Sequence, residues 1–140
     1  MKIVLAVDGS EIGTSAVRHV VELAKNLKDA PKVTLLFADP PLLKAVAAEL
    51  GAEGVKKYHA DNADFAFKKA RALLKRAKLT VKEVAVVGEP PATIVKTAKS
   101  EKADLIVMGS HGRGALKTLF VGSVAMKVIG SSEIPVTIAR

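Results

Sequence analysis

A chain of 140 residues with 49% hydrophobic residues, 4% aromatics and no cysteine has the size of one domain and must build its core from aliphatic side chains. Disulfide scaffolds, thiolate metal sites and cysteine nucleophiles are excluded, and a net charge of +8 permits nucleic acid, acidic surfaces or anionic metabolites as partners without choosing among them. Lys2 is followed by the short apolar run IVLAV before Asp8 interrupts it, less than the roughly 7–15 residues of a secretion signal. No stretch approaches the roughly 20 apolar residues of a membrane span, so a soluble, cytoplasmic protein without membrane contact is expected.

Lys2 to Val7 reads as a buried strand closed by Asp8-Gly9-Ser10. Ile12, Ala16, Val17, Val20, Val21, Ala24 and Leu27 then recur at helical spacing, with Ser10 as the N-cap and Asn26 to Pro31 as the stop. Val33 to Ala38 is a second strand, ended by Asp39-Pro40-Pro41. Leu42 to Leu50 reads as a short helix closed by Gly51 and Gly54, residues 52–61 carry no clear pattern, and Asn62 to Lys78 is helical, with Ala66, Ala70, Leu73, Leu74 and Ala77 as its apolar stripe. Val81 to Val87 is a third strand, Pro91 opens a helix reaching Ser100, and Asp104 to Met108 is a fourth strand. A glycine-rich basic stretch, 109–121, precedes a helix from Gly122 to Ile129 and a last strand from Ile134 to Ala139. Strands alternating with helices predict an α/β fold, a single doubly wound five-stranded parallel sheet with helices on both faces and residues 1–140 as one domain. The near-continuous apolar strands agree, since such strands are buried on both sides.

In such sheets ligands bind beyond the carboxyl ends of the strands, which singles out Asp8 and Ser10, Asp39, Glu89, and the stretch GSHGRGALKTLFVGS from 109 to 123. That stretch holds Gly109, Gly112, Gly114 and Gly122 within fourteen positions. Glycines let a ligand approach the backbone, and successive N–H groups cradle anions. Gly122-Ser123 starts a helix whose free N–H groups and positive dipole end face the same crevice. Ser123 is read as that helix's cap or as a hydroxyl for a phosphate oxygen, with Arg113 and Lys117 adding charge. The stretch matches neither the Walker A loop nor GxGxxG: Ala115-Leu116 follow Gly114 where Lys and Ser or Thr are needed.

Over essentially its whole length the sequence resembles the universal stress proteins. IVLAVDGSEIGTSAVRHVVELA is similar to that family's first strand and helix, and ADLIVMGSHGRGALKTLFVGSVAMKVIGSSEIPVTIAR to its carboxyl-terminal third. The ATP-binding subgroup's G-x2-G-x9-G-S/T is complete here as Gly109, Gly112, nine residues, and Gly122-Ser123. The resemblance implies a Rossmann-like sheet of the adenine nucleotide alpha-hydrolase type that binds ATP with Mg²⁺ or Mn²⁺. It implies that Asp8 contacts the ribose or helps hold the divalent ion, and that Val7 and Ala38 line the adenine pocket with Met108 close by. Gly109, Gly112, Gly122, Ser123 and Val124 would surround ribose and phosphates, with valine at either Gly109 or Gly122 filling the space the phosphates need. Ala38 departs from the Val often found there, which implies a looser hold on adenine. The last strand, Pro135 to Ala139, matches an element that often pairs with its counterpart in a second subunit, implying a homodimer.

Plainer roles compete. Asp8 can cap the first helix, Ser10 reads better as a cap than as a ligand, and His19 reads as a surface residue. His59 carries no signal, and the histidines show no metal-ligand spacing. A triad of Asp8, Ser10 and His111 lacks the GxSxG elbow. The basic helix Lys68–Lys78 lacks aromatic interleaving and any DNA-binding motif, so a solvated face is favoured over nucleic acid. The leading reading is a nucleotide-dependent stress-response regulatory or signalling module, its protein partner unknown. A slow ATPase or phosphotransfer protein is the second reading; with no evident base, little turnover is expected. The third is a nucleotide-free dimeric interaction protein with a basic surface.

Overall fold

A computed structural model describes residues 1–111 and 121–140. In chain order the elements are β1 (Lys2–Ala6), α1 (Glu11–Lys25), β2 (Lys32–Asp39), α2 (Lys44–Arg76), β3 (Val81–Val87), α3 (Pro90–Ser100), β4 (Leu105–Gly109), α4 (Ser123–Ser131) and β5 (Val136–Ala139). The strands form one parallel sheet in the order β3-β2-β1-β4-β5, so the strand order reverses at β1, where Ile3 lies opposite Val33 on one side and Leu105 on the other. This is the expected doubly wound α/β architecture.

Period-two alternation splits the apolar strands between two cores. Ile3 and Leu5 of β1 and Val7 just beyond it, with Leu35 and Phe37, pack under Ala16, Val17 and Val20 of α1 and Ala66, Phe67, Ala70 and Leu74 of α2. Val4 and Ala6, with Leu36, Ile106 and Met108, pack under Ile94 and Ala98 of α3 and Ala125 and Val128 of α4. Each unbroken run therefore serves two helix layers at once.

Ser10 caps α1 as expected, its Oγ accepting from Gly13 N–H at 3.0 Å, and Asn26 is the C-cap. The expected helices 42–50 and 62–78 belong to one element broken only at Gly51, whose φ of 70° and ψ of 172° leave the helical region. Gly54 does not interrupt it, and the stretch 52–61 is helical. The basic side chains between Lys68 and Lys78 are exposed. Lys69 pairs with Glu11, and Arg71 forks onto Glu83 at 2.6 and 2.9 Å, reaching Asp64 at 2.6 Å, which ties α2 to β3. Among the described residues, no helix is long and apolar enough to cross a membrane.

Candidate functional site

The carboxyl ends of β1, β2 and β4 and the first turns of α3 and α4 enclose a cavity of about 580 Å³, at the position where the strand order reverses. Its apolar lining is shared between the two cores: Ala6, Leu36, Ile94, Met108 and Ala125 come from the α3–α4 side, and Val7 and Phe37 from the α1–α2 side. Its polar lining includes Asp8, Asp39, Ser110, His111 and Ser123. Of the residues expected at a site, Val7, Asp8, Ala38, Met108, Gly109, Gly122, Ser123 and Val124 all line this one cavity. Gly112, Arg113 and Lys117 lie outside the described residues.

Ser10 is not in the lining. Its hydroxyl caps α1, and its own N–H donates to Asp8 Oδ1 at 2.9 Å, which fixes the Asp8 carboxylate at the cavity wall. Gly13 sits beneath that carboxylate: a Cβ there would lie 3.0 Å from Asp8 Oδ1 and 3.3 Å from Ser10 Oγ. A glycine inside a helix costs about 1 kcal/mol relative to alanine, and that unexplained cost is the signal by which Gly13 was open to discovery in the sequence.

At the fourth strand, two glycines meet protein rather than open space. A Cβ on Gly109 would lie 2.9 Å from Ile12 Cγ2 and 3.0 Å from the Ile12 carbonyl carbon. One on Gly122 would lie 3.1 Å from the Ser110 carbonyl oxygen, which already accepts from Gly122 N–H at 2.7 Å. Gly109 thus lets α1 approach β4, and Gly122 lets α4 start directly against Ser110. Valine at either position therefore meets protein packing, while both glycines also line the cavity. Ser123 does not cap α4: Gly122 is the N-cap, without a side-chain cap bond, and Ser123 is the first helical residue. Its exposed hydroxyl is left to face the cavity, together with first-turn N–H groups that no helical carbonyl reaches. Ser110 is buried, its Oγ 2.8 Å from His111 Nδ1.

His59, silent in the sequence, lies beside the rim. Its Nδ1 is 2.6 Å from Asp39 Oδ2, and Asn62 Nδ2 donates to the same oxygen at 3.0 Å. Both members of the His–Asp pair are largely buried, at 14% and 10% side-chain exposure. Alternation along β2 sends Asp39 to the α2 side, whereas Leu36 faces the α3–α4 core, so the pair anchors α2 to the end of β2. Among the described residues, no group of three His, Cys, Asp or Glu side chains could hold a metal ion.

The universal stress protein family model matches residues 1–140. Universal stress protein MJ0531 of Methanocaldococcus jannaschii is 30% identical over 139 residues, covering 99% of this chain and 81% of that one. The solved structure of MJ0577 from the same organism superposes with a TM-score of 0.79 at 31% identity, covering 99% of this chain and 94% of the other. A universal stress protein from Archaeoglobus fulgidus in complex with dAMP superposes with a TM-score of 0.71 at 25% identity, covering 100% and 98%.

Proposed function

The chain belongs to the universal stress protein family, and from that premise we propose that it binds an adenine nucleotide, ATP with Mg²⁺ or Mn²⁺, in the cavity where the strand order reverses. In this reading it is a cytoplasmic, homodimeric module of the stress response, residues 1–140 forming one domain, and a partner reads its nucleotide state. The observation that carries the reading is the convergence on one cavity of Val7, Asp8, Ala38, Met108, Gly109, Gly122, Ser123 and Val124. Its volume of about 580 Å³ falls within the roughly 300–1,000 Å³ of small-molecule sites, and the Archaeoglobus relative holds dAMP on the same fold.

The residues fit such a ligand by chemistry. Leu36, Ile94, Met108 and Ala125 offer an apolar bed for a purine, and Ala38 leaves room at its edge. The first turn of α4 offers unpaired N–H donors and a positive dipole end to phosphate oxygens, with the Ser123 hydroxyl beside them. Asp8, oriented by Ser10 N–H, accepts from ribose hydroxyls or serves as the protein's carboxylate for a divalent ion whose other ligands are phosphate oxygens. That ion, when bound, offsets the phosphate charge.

The test is to purify the protein without added ligand, denature it with acid, and chromatograph the supernatant. ATP with Mg²⁺, and AMP, are then titrated into stripped protein. Co-purified adenine nucleotide or saturable binding is the expected result. The absence of both overturns the reading and leaves the nucleotide-free interaction protein in its place.

The dimer is proposed through β5, which ends the sheet and is half-buried along its length. Its sequence VTIA carries none of the charges by which edge strands deter pairing, and a two-fold axis would let two copies continue each other's sheet. Thr137→Lys is expected to shift the sedimenting species from dimer to monomer with the far-UV spectrum retained. A wild-type monomer, or a variant that stays dimeric, rules this interface out.

A further inference from the structure

On the outer surface of the α3–α4 layer, the two helices leave a second depression, a shallow trough of about 740 Å³. Ala92 and Val95 of α3 and Gly130 of α4 give it apolar walls, and Lys96, Lys99 and Lys127 stand at its rim. The helices share the core beneath through Ile94, Ala98, Ala125 and Val128, so the trough lies between two elements held side by side. Gly130 is its informative residue. It is not among the positive-φ glycines of the described chain, Gly9 and Gly51, and a Cβ there would meet nothing within 4 Å. It lies in the last turn of α4, where neither a positive φ nor internal packing calls for a glycine, and a side chain there would stand in the trough. One helical turn earlier, Met126 is 56% exposed.

The rim is electrostatically unspent. Among the described residues Lys96 and Lys127 make no ion pair, and Lys99 reaches only Glu133, at 3.1 Å, whose side chain is 85% exposed. Lysine stems extend the apolar walls while their ammonium groups stay in water. A trough between two adjacent helices is the natural seat of a third, since side-chain ridges pack into such grooves. A planar bilayer does not enter it, and a nucleic acid backbone has no use for its apolar floor.

We propose that this groove docks an acidic amphipathic helix of a partner protein. Its apolar stripe would lie on Ala92, Val95 and Gly130, with carboxylates on one flank facing Lys96 and Lys99 and on the other facing Lys127. The inference goes beyond the nucleotide site and stands without it.

The test uses the full chain and a fluorescein-labelled peptide of about 18 residues, long enough to be helical, with leucines along one stripe and glutamates on both flanks, followed by fluorescence anisotropy at low salt. A scrambled peptide of the same composition, a peptide with lysine for glutamate, DNA, and phosphatidylserine–phosphatidylcholine vesicles are the comparisons. The expected result is saturable binding of the acidic helix alone. Binding weakens at least tenfold in Gly130→Leu, which fills the trough, and the preference inverts toward the lysine peptide in Lys96→Glu/Lys127→Glu. Melting temperatures confirm that both variants are folded. No saturable binding, equal binding of the scrambled peptide, or binding unchanged in a folded Gly130→Leu variant overturns the proposal. So does tighter binding of DNA or vesicles lost in the same variants, which would assign the surface to that partner instead.

Discussion

Gly109→Val is expected to lower the melting temperature by roughly 10 °C, and to do so with no ligand present. The added Cβ alone would lie 2.9 Å from Ile12 Cγ2, and 3.0 and 3.1 Å from the Ile12 carbonyl carbon and oxygen. A side-chain methyl group can turn away; the backbone of the first turn of α1 cannot, because Ser10 and Thr14 pin it through the Gly13 N–H to Ser10 Oγ bond and the Thr14 N–H to Ser10 carbonyl bond, both 3.0 Å. Overpacking of this kind costs about 3 kcal/mol at the upper end of its usual range, or roughly 10 °C for a chain of this size. Ile12→Ala in the same protein removes the Cγ2 contact but leaves the carbonyl contacts, so it recovers only part of the loss. Thermal and urea denaturation of the stripped protein measure both. An unchanged melting temperature in Gly109→Val would show that α1 yields freely, and the glycine would return to being a residue kept for ligand approach.

The two possible roles of Gly109 show where reading the sequence reached and where it stopped. The strands were legible because β1 and β4 are unbroken apolar runs and the others nearly so, Lys82 and Glu83 interrupting β3, and in a parallel sheet that pattern has one good explanation: Val4 and Ala6 serve one core while Ile3, Leu5 and Val7 serve the other. Once the strands were placed, the site followed from topology, since the residues after β1, β2 and β4 must meet where the order reverses. What one-dimensional pattern cannot supply is the direction a missing Cβ would take. Gly109 and Gly122 stood out as spacing, but only coordinates show them turned toward Ile12 and Ser110. The stretch 52–61 was unreadable for a different reason. It holds no apolar stripe, because among its residues only Gly54, Val55 and His59 are half-buried, and its attachment is polar, through His59 to Asp39. Helix periodicity is detected from burial of hydrocarbon, so a helix segment held by a His–Asp contact leaves no trace. Ser123 was misplaced by one residue: serine is a common N-cap, but Gly122 already holds that position at φ −67° and ψ 163°, and the hydroxyl is displaced into the cavity.

That displacement yields the sharpest test of the nucleotide site, because Ser123→Asp should separate binding from folding. At the first position of α4 a carboxylate meets the positive end of the helix dipole and stabilises the helix by about 0.3–1 kcal/mol. Ser123 is exposed, so the charge requires no burial, and the melting temperature of the stripped protein should hold or rise. Ligand binding should move the opposite way. With phosphates seated at the α4 N-terminus, two like charges about 5 Å apart repel by about 3 kcal/mol at an effective dielectric of 20, a loss of roughly a hundredfold in affinity. Ser123→Asn, uncharged and nearly the same shape as the aspartate, should lose far less. Titration of ATP with and without Mg²⁺ into both variants reads the difference, and adenosine supplies the internal control: lacking phosphate, it should bind the aspartate variant as it binds the wild type. If ATP binds Ser123→Asp undiminished, the phosphates do not lie at α4, and the cavity's apolar bed would have to hold its ligand in another orientation. If adenosine and ATP weaken together, the substitution has disturbed the pocket itself, and the first turn of α4 shapes the base site rather than the phosphate site.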